Sequence, residues 1–168
     1  TKEVTINNNT YTAWDVSNVI FIRTAFAGAS SFNKPINNWN VSNKVTDKQS
    51  MFYNASLFNQ DISRWNVSQV KNIRYMFKSD IDCNQDISGW TPVNVSNFTG
   101  MFEDTGSNGI FNSGQAAGAS STLSWGTGSA ISIDRMFMGA SAFNGDLSSW
   151  DTSSVTNMRK MFSQASSF

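Results

Sequence analysis

Large apolar residues recur along this chain at a nearly constant interval. Tryptophan stands at Trp14, Trp39, Trp65, Trp90, Trp125 and Trp150, in steps of 25, 26, 25, 35 and 25 residues. Twelve or thirteen residues after each comes a phenylalanine: Phe26, Phe52, Phe77, Phe102, Phe137 and Phe162. The residue before that is Ala25 and then Met51, Met76, Met101, Met136 and Met161. Seven residues before Trp lie Phe32, Phe58, Cys83 and Phe143, and three before it lie Tyr11, Ile36, Ile62, Ile87 and Leu147. Five or six after it lie Val19, Val45, Val70, Val95 and Val155. These apolar columns, held in one register, define a tandem repeat of roughly 25 residues.

Two shorter periods sit inside each unit. Gln60 to Arg64 alternates around the single apolar Ile62, the signature of a short strand. Val70, Ile73 and Phe77 recur at three and four, the signature of a helical turn. A unit this small cannot bury its apolar stripe alone, so copies must stack and each column becomes a ladder along the axis. The expected fold is an α/β solenoid: a leucine-rich-repeat-like, right-handed stack with one short parallel strand plus one short helix or 3-10 turn per repeat. Residues 1–168 then form a single repeat domain of about six repeats. Its core is expected at Trp39, Trp65, Trp90, Trp125 and Trp150 with Phe52, Phe77, Phe102, Phe137 and Phe162; an aromatic binding stripe is the rival reading. An enclosed indole N–H would need an acceptor.

Two irregularities stand out. The 35-residue step carries ten extra residues, placing a Gly/Ser/Ala-rich insertion at 103–122, with Gly106, Gly109, Gly114 and Gly118. Such a loop on a rigid scaffold is a candidate binding element, or else a neutral bulge, because lengthening a loop costs little. In the third repeat Asp80 occupies an apolar column, which is expensive unless the turn rotates it outward.

The unit Trp-Asn-Val-Ser-x-Val-x-x-Ile-x-x-Met-Phe, followed by Ala-Ser-x-Phe-Asn-Gln-Asp-Ile-Ser, resembles the BspA-like leucine-rich repeats of bacterial and mycoplasma surface proteins. The resemblance runs from about Trp14 to Phe168 and recurs clearly at Phe58–Ser63 and Cys83–Ser88. It implies a cell-surface or secreted protein used in adhesion or ligand binding, without naming the ligand.

Polar ladders supply the candidate site. Asn59, Asn84 and Asn144, with Asn33, recur after the Phe/Cys column. They read either as turn and axial hydrogen-bonding groups or as part of a ligand face. Asp61, Asp86 and Asp146 precede the inward aliphatic residue and Ser63, Ser88 and Ser148 follow it, so in a strand they share the outer face. Neighbouring carboxylates suit a calcium ion or, alternatively, cap backbone groups. Asn-x-Ser/Thr patterns at Asn8, Asn40, Asn54, Asn66, Asn94 and Asn97 are compatible with glycans, although the recurring Asn-Val-Ser turn accounts for three of them.

Composition narrows the chemistry. Lys+Arg and Asp+Glu both number 12, so there is no basic excess to attract nucleic acid or an anionic membrane. No apolar run is long enough to insert in a membrane. The chain has no histidine and one cysteine, Cys83, which excludes Ser-His and Cys-His machinery, zinc sites and an internal disulfide. No phosphate loop is present. No catalytic residue, cofactor or resident metal is expected. The expected partner is a protein or glycan, with self-association through exposed solenoid ends as a further possibility. Thr1 is not an initiator Met and Phe168 falls inside a repeat, so a longer, processed protein is expected, and the resemblance implies that it is extracellular or on the cell surface.

Overall fold

In the computed structural model, residues 2–6, 9–37, 39, 44–105, 110–117 and 119–168 are described. The expectations for Asn8, Asn40, Gly106, Gly109, Gly118 and the side chain of Tyr11 fall outside them. The chain begins with a hairpin in which β1 (Lys2–Ile6) pairs antiparallel with β2 (Asn9–Ala13), so that Tyr11 lies opposite Val4. Nothing in the repeat pattern foreshadows this hairpin.

From Trp14 onward, residues one repeat apart lie on one another. Parallel bridges join Asp47 to Asn72, Asn72 to Asn97, Asn97 to Ser132 and Ser132 to Asn157. Two further short strands, β3 (Ser121–Thr122) and β4 (Gly145–Asp146), also pair in parallel. The Phe column is a continuous ladder. Its rings from Phe26 through Phe52, Phe77, Phe102 and Phe137 to Phe162 are 5.5–5.8 Å apart at 1–12°. Within a coil a second ring stacks on the first at 3.9–4.1 Å: Phe32 on Phe26, Phe58 on Phe52, Phe143 on Phe137 and Phe168 on Phe162. Cys83 stands in this second column, fully buried, and its thiol is pushed up by desolvation and then by Asp80.

The tryptophans form their own row, with Trp90, Trp125 and Trp150 stacked at 5.9–6.4 Å. Each enclosed indole finds the acceptor it needs one coil back. Trp65 donates to the Ile36 carbonyl (3.4 Å), Trp90 to Ile62 (3.1 Å), Trp125 to Ile87 (3.1 Å) and Trp150 to Leu123 (2.6 Å). The Trp column is buried from Trp65 to Trp125 and the Phe column from Phe52 to Phe137; Trp39, Trp150 and Phe162 are partly buried, and Trp14, 67% exposed, lies at the open edge.

The segment expected to be helical takes another form. Val70, Ile73 and Phe77 are buried, but there is no helix among the described residues. The N–H groups alternate instead: Met76 bonds back to Ile73, while Tyr75 and Phe77 bond across to Thr99 and Met101 of the next coil. The alternation requires two left-handed residues per coil. One row is Thr24, Ser50, Tyr75, Gly100, Arg135 and Lys160; the other is Gly28, Asn54, Ser79, Asp104, Gly139 and Gln164. Positive φ breaks any helix and turns alternate peptides toward the neighbouring coil. The span Gln60–Arg64 is likewise not a strand. Ile62 is buried there and Asp61, Ser63 and Arg64 are exposed, yet the backbone is shaped by a local turn.

Two ionisable side chains sit in apolar columns. Lys48 occupies the row of Ile22, Ile73, Phe98 and Ile133; it is 0% exposed and its Nζ has no partner. Asp80 occupies the row of Ala55 and Ala140, also 0% exposed, with neither carboxylate oxygen bonded. The turn does not rotate Asp80 outward. Desolvation, reinforced by Asp82, pushes its carboxyl up to about 9, so it is neutral at physiological pH. Desolvation lowers Lys48 to about 8.

Three outcomes follow from this packing. A Cβ at Gly100, φ 57°, would lie 2.5 Å from the Tyr75 ring, whereas at Gly89 it would meet nothing within 4 Å. Gly100→Ala should therefore cost about 1–3 kcal/mol by thermal or urea unfolding and Gly89→Ala less than about 0.5. Asp80→Ala should stabilise the protein at pH 7 by roughly 3 kcal/mol. The unfolded carboxyl loses its proton near 3.8 and the folded one only near 9, so wild-type stability should fall with rising pH in that window and the variant should lack that slope. Lys48→Ile should add on the order of 3 kcal/mol at pH 7, a gain that shrinks between pH 8 and 10.5 as the unfolded lysine also loses its proton.

Candidate functional site

The acidic residues expected on the outer face are corner-formers. The Oδ1 of Asp61 accepts both the N–H and the hydroxyl of Ser63 (2.9 and 2.7 Å), and Asp86 holds Ser88 in the same way (3.0 and 2.6 Å). Asp146 accepts the Ser148 N–H at 2.9 Å. These are Asx turns, in which a short carboxylate mimics a backbone acceptor and bends the chain. Hydrogen bonds from Ser63, side chain first and then backbone, lower the Asp61 carboxyl; those from Ser148, backbone first, lower Asp146. All six of these side chains are exposed at coil corners, with the Thr122 coil standing between those of Asp86 and Asp146. Among the described residues no group of three potential metal-ligating side chains comes together.

The same device shapes two other corners. Asn66 holds the N–H and hydroxyl of Ser68, and Asp151 the N–H of Ser153. At the bridging row Asp47, Asn72, Asn97 and Asn157 accept from Gln49, Arg74, Thr99 and Arg159. Two of the Asn-x-Ser/Thr patterns, at Asn66 and Asn97, are thus also Asx turns.

The asparagine ladder belongs to the stack. Asn33 Oδ1 accepts the Asn59 N–H (3.1 Å), Asn59 Oδ1 the Asn84 N–H (3.1 Å), Asn84 Oδ1 the Asn112 N–H (2.7 Å) and Asn112 Oδ1 the Asn144 N–H (3.0 Å). Gln60 and Gln85 add side-chain bonds to Asn33 and Asn59. Asn59 and Asn84, expected on the ligand face, have their carbonyl oxygens committed to the next coil.

Asn112 was hidden inside the insertion. The sequence treats 103–122 as one loop, but Phe111 stacks on Phe102 (3.9 Å) and on Phe143 (6.1 Å) and so fills the second Phe column. Phe111-Asn112 therefore returns to register and divides the extra residues. Phe102 and Phe111 are nine apart where Phe77 and Cys83 are six apart, and the larger excess follows Asn112. The signal was present, since Phe111-Asn112 repeats Phe58-Asn59 and Phe143-Asn144, but the irregular spacing concealed it.

The later part of the insertion folds back onto the Asp86 corner. Asn112, 0% exposed, donates its amide to the carbonyls of Ala116 (2.6 Å) and Ala119 (2.7 Å), and Ser121 Oγ donates to its Oδ1 (3.3 Å). Asn84 fastens the outside, donating to the Gln115 carbonyl (2.9 Å) and accepting from the Gly114 N–H (3.0 Å). A Cβ at Gly114 would lie 3.0 Å from Asp86 Cβ and 3.2 Å from its backbone nitrogen, so the loop lies directly on that corner. Between loop and corner is an open cleft of about 340 Å³. Asp86 and Ser88 line one wall; Ser113, Gln115, Ser120, Ser121 and Thr122 line the other. The structure thus joins two separately expected features, the Asp86–Ser88 face and the insertion. Asp61–Ser63 and Asp146–Ser148 do not line this cleft.

No helix among the described residues is long and apolar enough to cross a membrane. No curated protein and no solved structure matches the chain. Residues 1–113 and 108–168 match the family described as "Mycoplasma protein of unknown function, DUF285". With nearly the whole repeat array matched, the chain belongs to this DUF285 family of mycoplasma proteins.

Proposed function

We propose that this chain is a non-catalytic, extracellular or cell-surface repeat module of the BspA-like leucine-rich type, which binds a protein or glycan ligand in adhesion. One observation carries the reading: the insertion is tied down over a polar corner by the buried Asn112, leaving a lined cleft on an otherwise repetitive surface. Two of the Asn112 bonds continue the ladder to Asn84 and Asn144, and the bonds to Ala116, Ala119 and Ser121 hold the insertion in one place over the corner. The Asn ladder is committed to the next coil and the recurring Asx residues to their corners. The corner that differs from the others is the one the insertion covers, and binding is assigned to it and to the loop that modifies it.

A second reading, a structural rod or filament-forming spacer, is favoured by a separate observation. Trp14, Phe26, Phe32 and Trp39 border an apolar hollow beside the first coil. Such a surface suits another copy.

The two readings separate by experiment. A binding module should stay monomeric in light scattering as concentration rises and should bind components of a host-surface panel of matrix proteins and glycans by interferometry. Replacing Asn112 by Ala, which releases the loop, should weaken that binding at least tenfold while the remaining coils stay folded by circular dichroism. Concentration-dependent growth in size with no captured ligand would overturn the module in favour of the rod.

A further inference from the structure

We infer that the cleft between Asp86 and the insertion is a subsite for one ring of a neutral, hydroxyl-rich sugar; this rests on the binding-module reading above. Its lining sets the ligand class. Among the described lining residues there is no cation, so an anionic ligand would meet Asp86 without a counter-charge. There is no aromatic or large aliphatic side chain either, which leaves an apolar ligand little surface to bury. A lone carboxylate cannot assemble the many oxygen ligands that calcium takes. What remains is an alternation of acceptors and donors: one carboxylate, four serines, a threonine and a carboxamide.

Two details show that these groups are poised for an incoming partner. The Oγ of Ser113 is buried and has no hydrogen-bond partner, although the residue is only 3% exposed. Ser113 also holds a left-handed backbone, φ 49°, which is unfavourable for serine and is kept by the Asn112 and Asn84 bonds on either side. A buried hydroxyl left unsatisfied is costly, and a ligand hydroxyl reaching it would remove that cost. Asp86 commits Oδ1 to Ser88, while Oδ2 has no hydrogen-bond partner among the described residues. A carboxylate oxygen of this kind accepts from sugar hydroxyls in a charge-assisted bond. Gln115, exposed on the loop, adds an amide that both donates and accepts. The volume, about 340 Å³, is at the small end for ligand sites and suits a single ring with its chain continuing into solvent.

The assignment is tested by presenting the protein to an array of neutral, sialylated and sulfated oligosaccharides, with saturation-transfer NMR on the best neutral hit. The wild type should bind neutral glycans in preference to acidic ones. Asp86→Asn, which preserves the turn acceptor, and Ser113→Ala should each weaken binding at least tenfold, the first with unchanged melting temperature and the second without lowering it. Asp151→Asn, at an Asx turn far along the chain, should leave binding unchanged. If Asp86→Asn fails to fold, Gln115→Ala serves in its place, and it should reduce affinity severalfold. Preference for acidic sugars, equal affinity in all variants, or no glycan bound would overturn the assignment. Protein-panel binding that survives without glycan binding would leave the module reading standing and remove only the sugar subsite. Loss of both would remove both.

Discussion

Every coil depends on giving alternate backbone N–H groups to the coil that follows it. Lys48, Ser50, Phe52 and Asn54 donate to Asn72, Arg74, Met76 and Lys78, and the same set of four recurs from Ile73 to Ser79, from Phe98 to Asp104 and from Ile133 to Gly139. A buried peptide group without a partner is costly, so these bonds admit only one register between neighbours. That register places Phe on Phe and Asn on Asn. The side-chain ladders then reinforce it with ring stacking, indole-to-carbonyl bonds and the amide row from Asn33 to Asn144. The repetition in the sequence is thus the trace of a backbone that can be satisfied only by a copy of itself.

The backbone geometry carries a local cost. Ten non-glycine residues among those described take positive φ, including the β-branched Thr24 and the bulky Tyr75. Each is disfavoured in isolation. Thr24, Ser50, Asn54, Tyr75, Ser79, Asp104 and Arg135 persist because the neighbouring coil takes up their N–H groups, so local strain is offset there by axial hydrogen bonding. Lys48 and Asp80 are a different matter: each places an ionisable group in an apolar row without a partner, and each is neutralised or disfavoured by its surroundings instead of matched.

How much of this is legible in the sequence depends on whether a feature repeats as residue type. The Trp, Phe, Met and Ile columns repeat that way, and the structure buries Trp65 to Trp125, Phe52 to Phe137, Met51 to Met161 and Ile36 to Ile87, leaving Trp39, Leu147, Trp150 and Phe162 partly buried. The left-handed rows do not. Tyr75, Gly100 and Arg135 share a backbone state but no chemistry, so the helical spacing of Val70, Ile73 and Phe77 read as a helix where the chain makes serial turns. Lys48 escaped notice because a lysine in a polar-rich stretch reads as surface. At the candidate site, Asp86, Ser88 and the insertion were each visible, but their meeting was not. It depends on Asn112 resuming the ladder at an irregular spacing and on Gly114 fitting against Asp86. Asp61 and Asp146 carry the same local signal without a loop above them, and only the break in the repeat distinguishes the Asp86 corner from theirs.

The central claim is that successive coils lie in register one repeat apart, and engineered cross-links test it most directly. Cysteines placed at Asn72 and Asn97, which pair across a parallel bridge, should form an intramolecular disulfide under mild oxidation, seen by mass spectrometry. Cysteines at Asn72 and Ser132, two coils apart, should not. Failure of the first pair to close in folded protein, or closure of the second, would contradict the in-register stack.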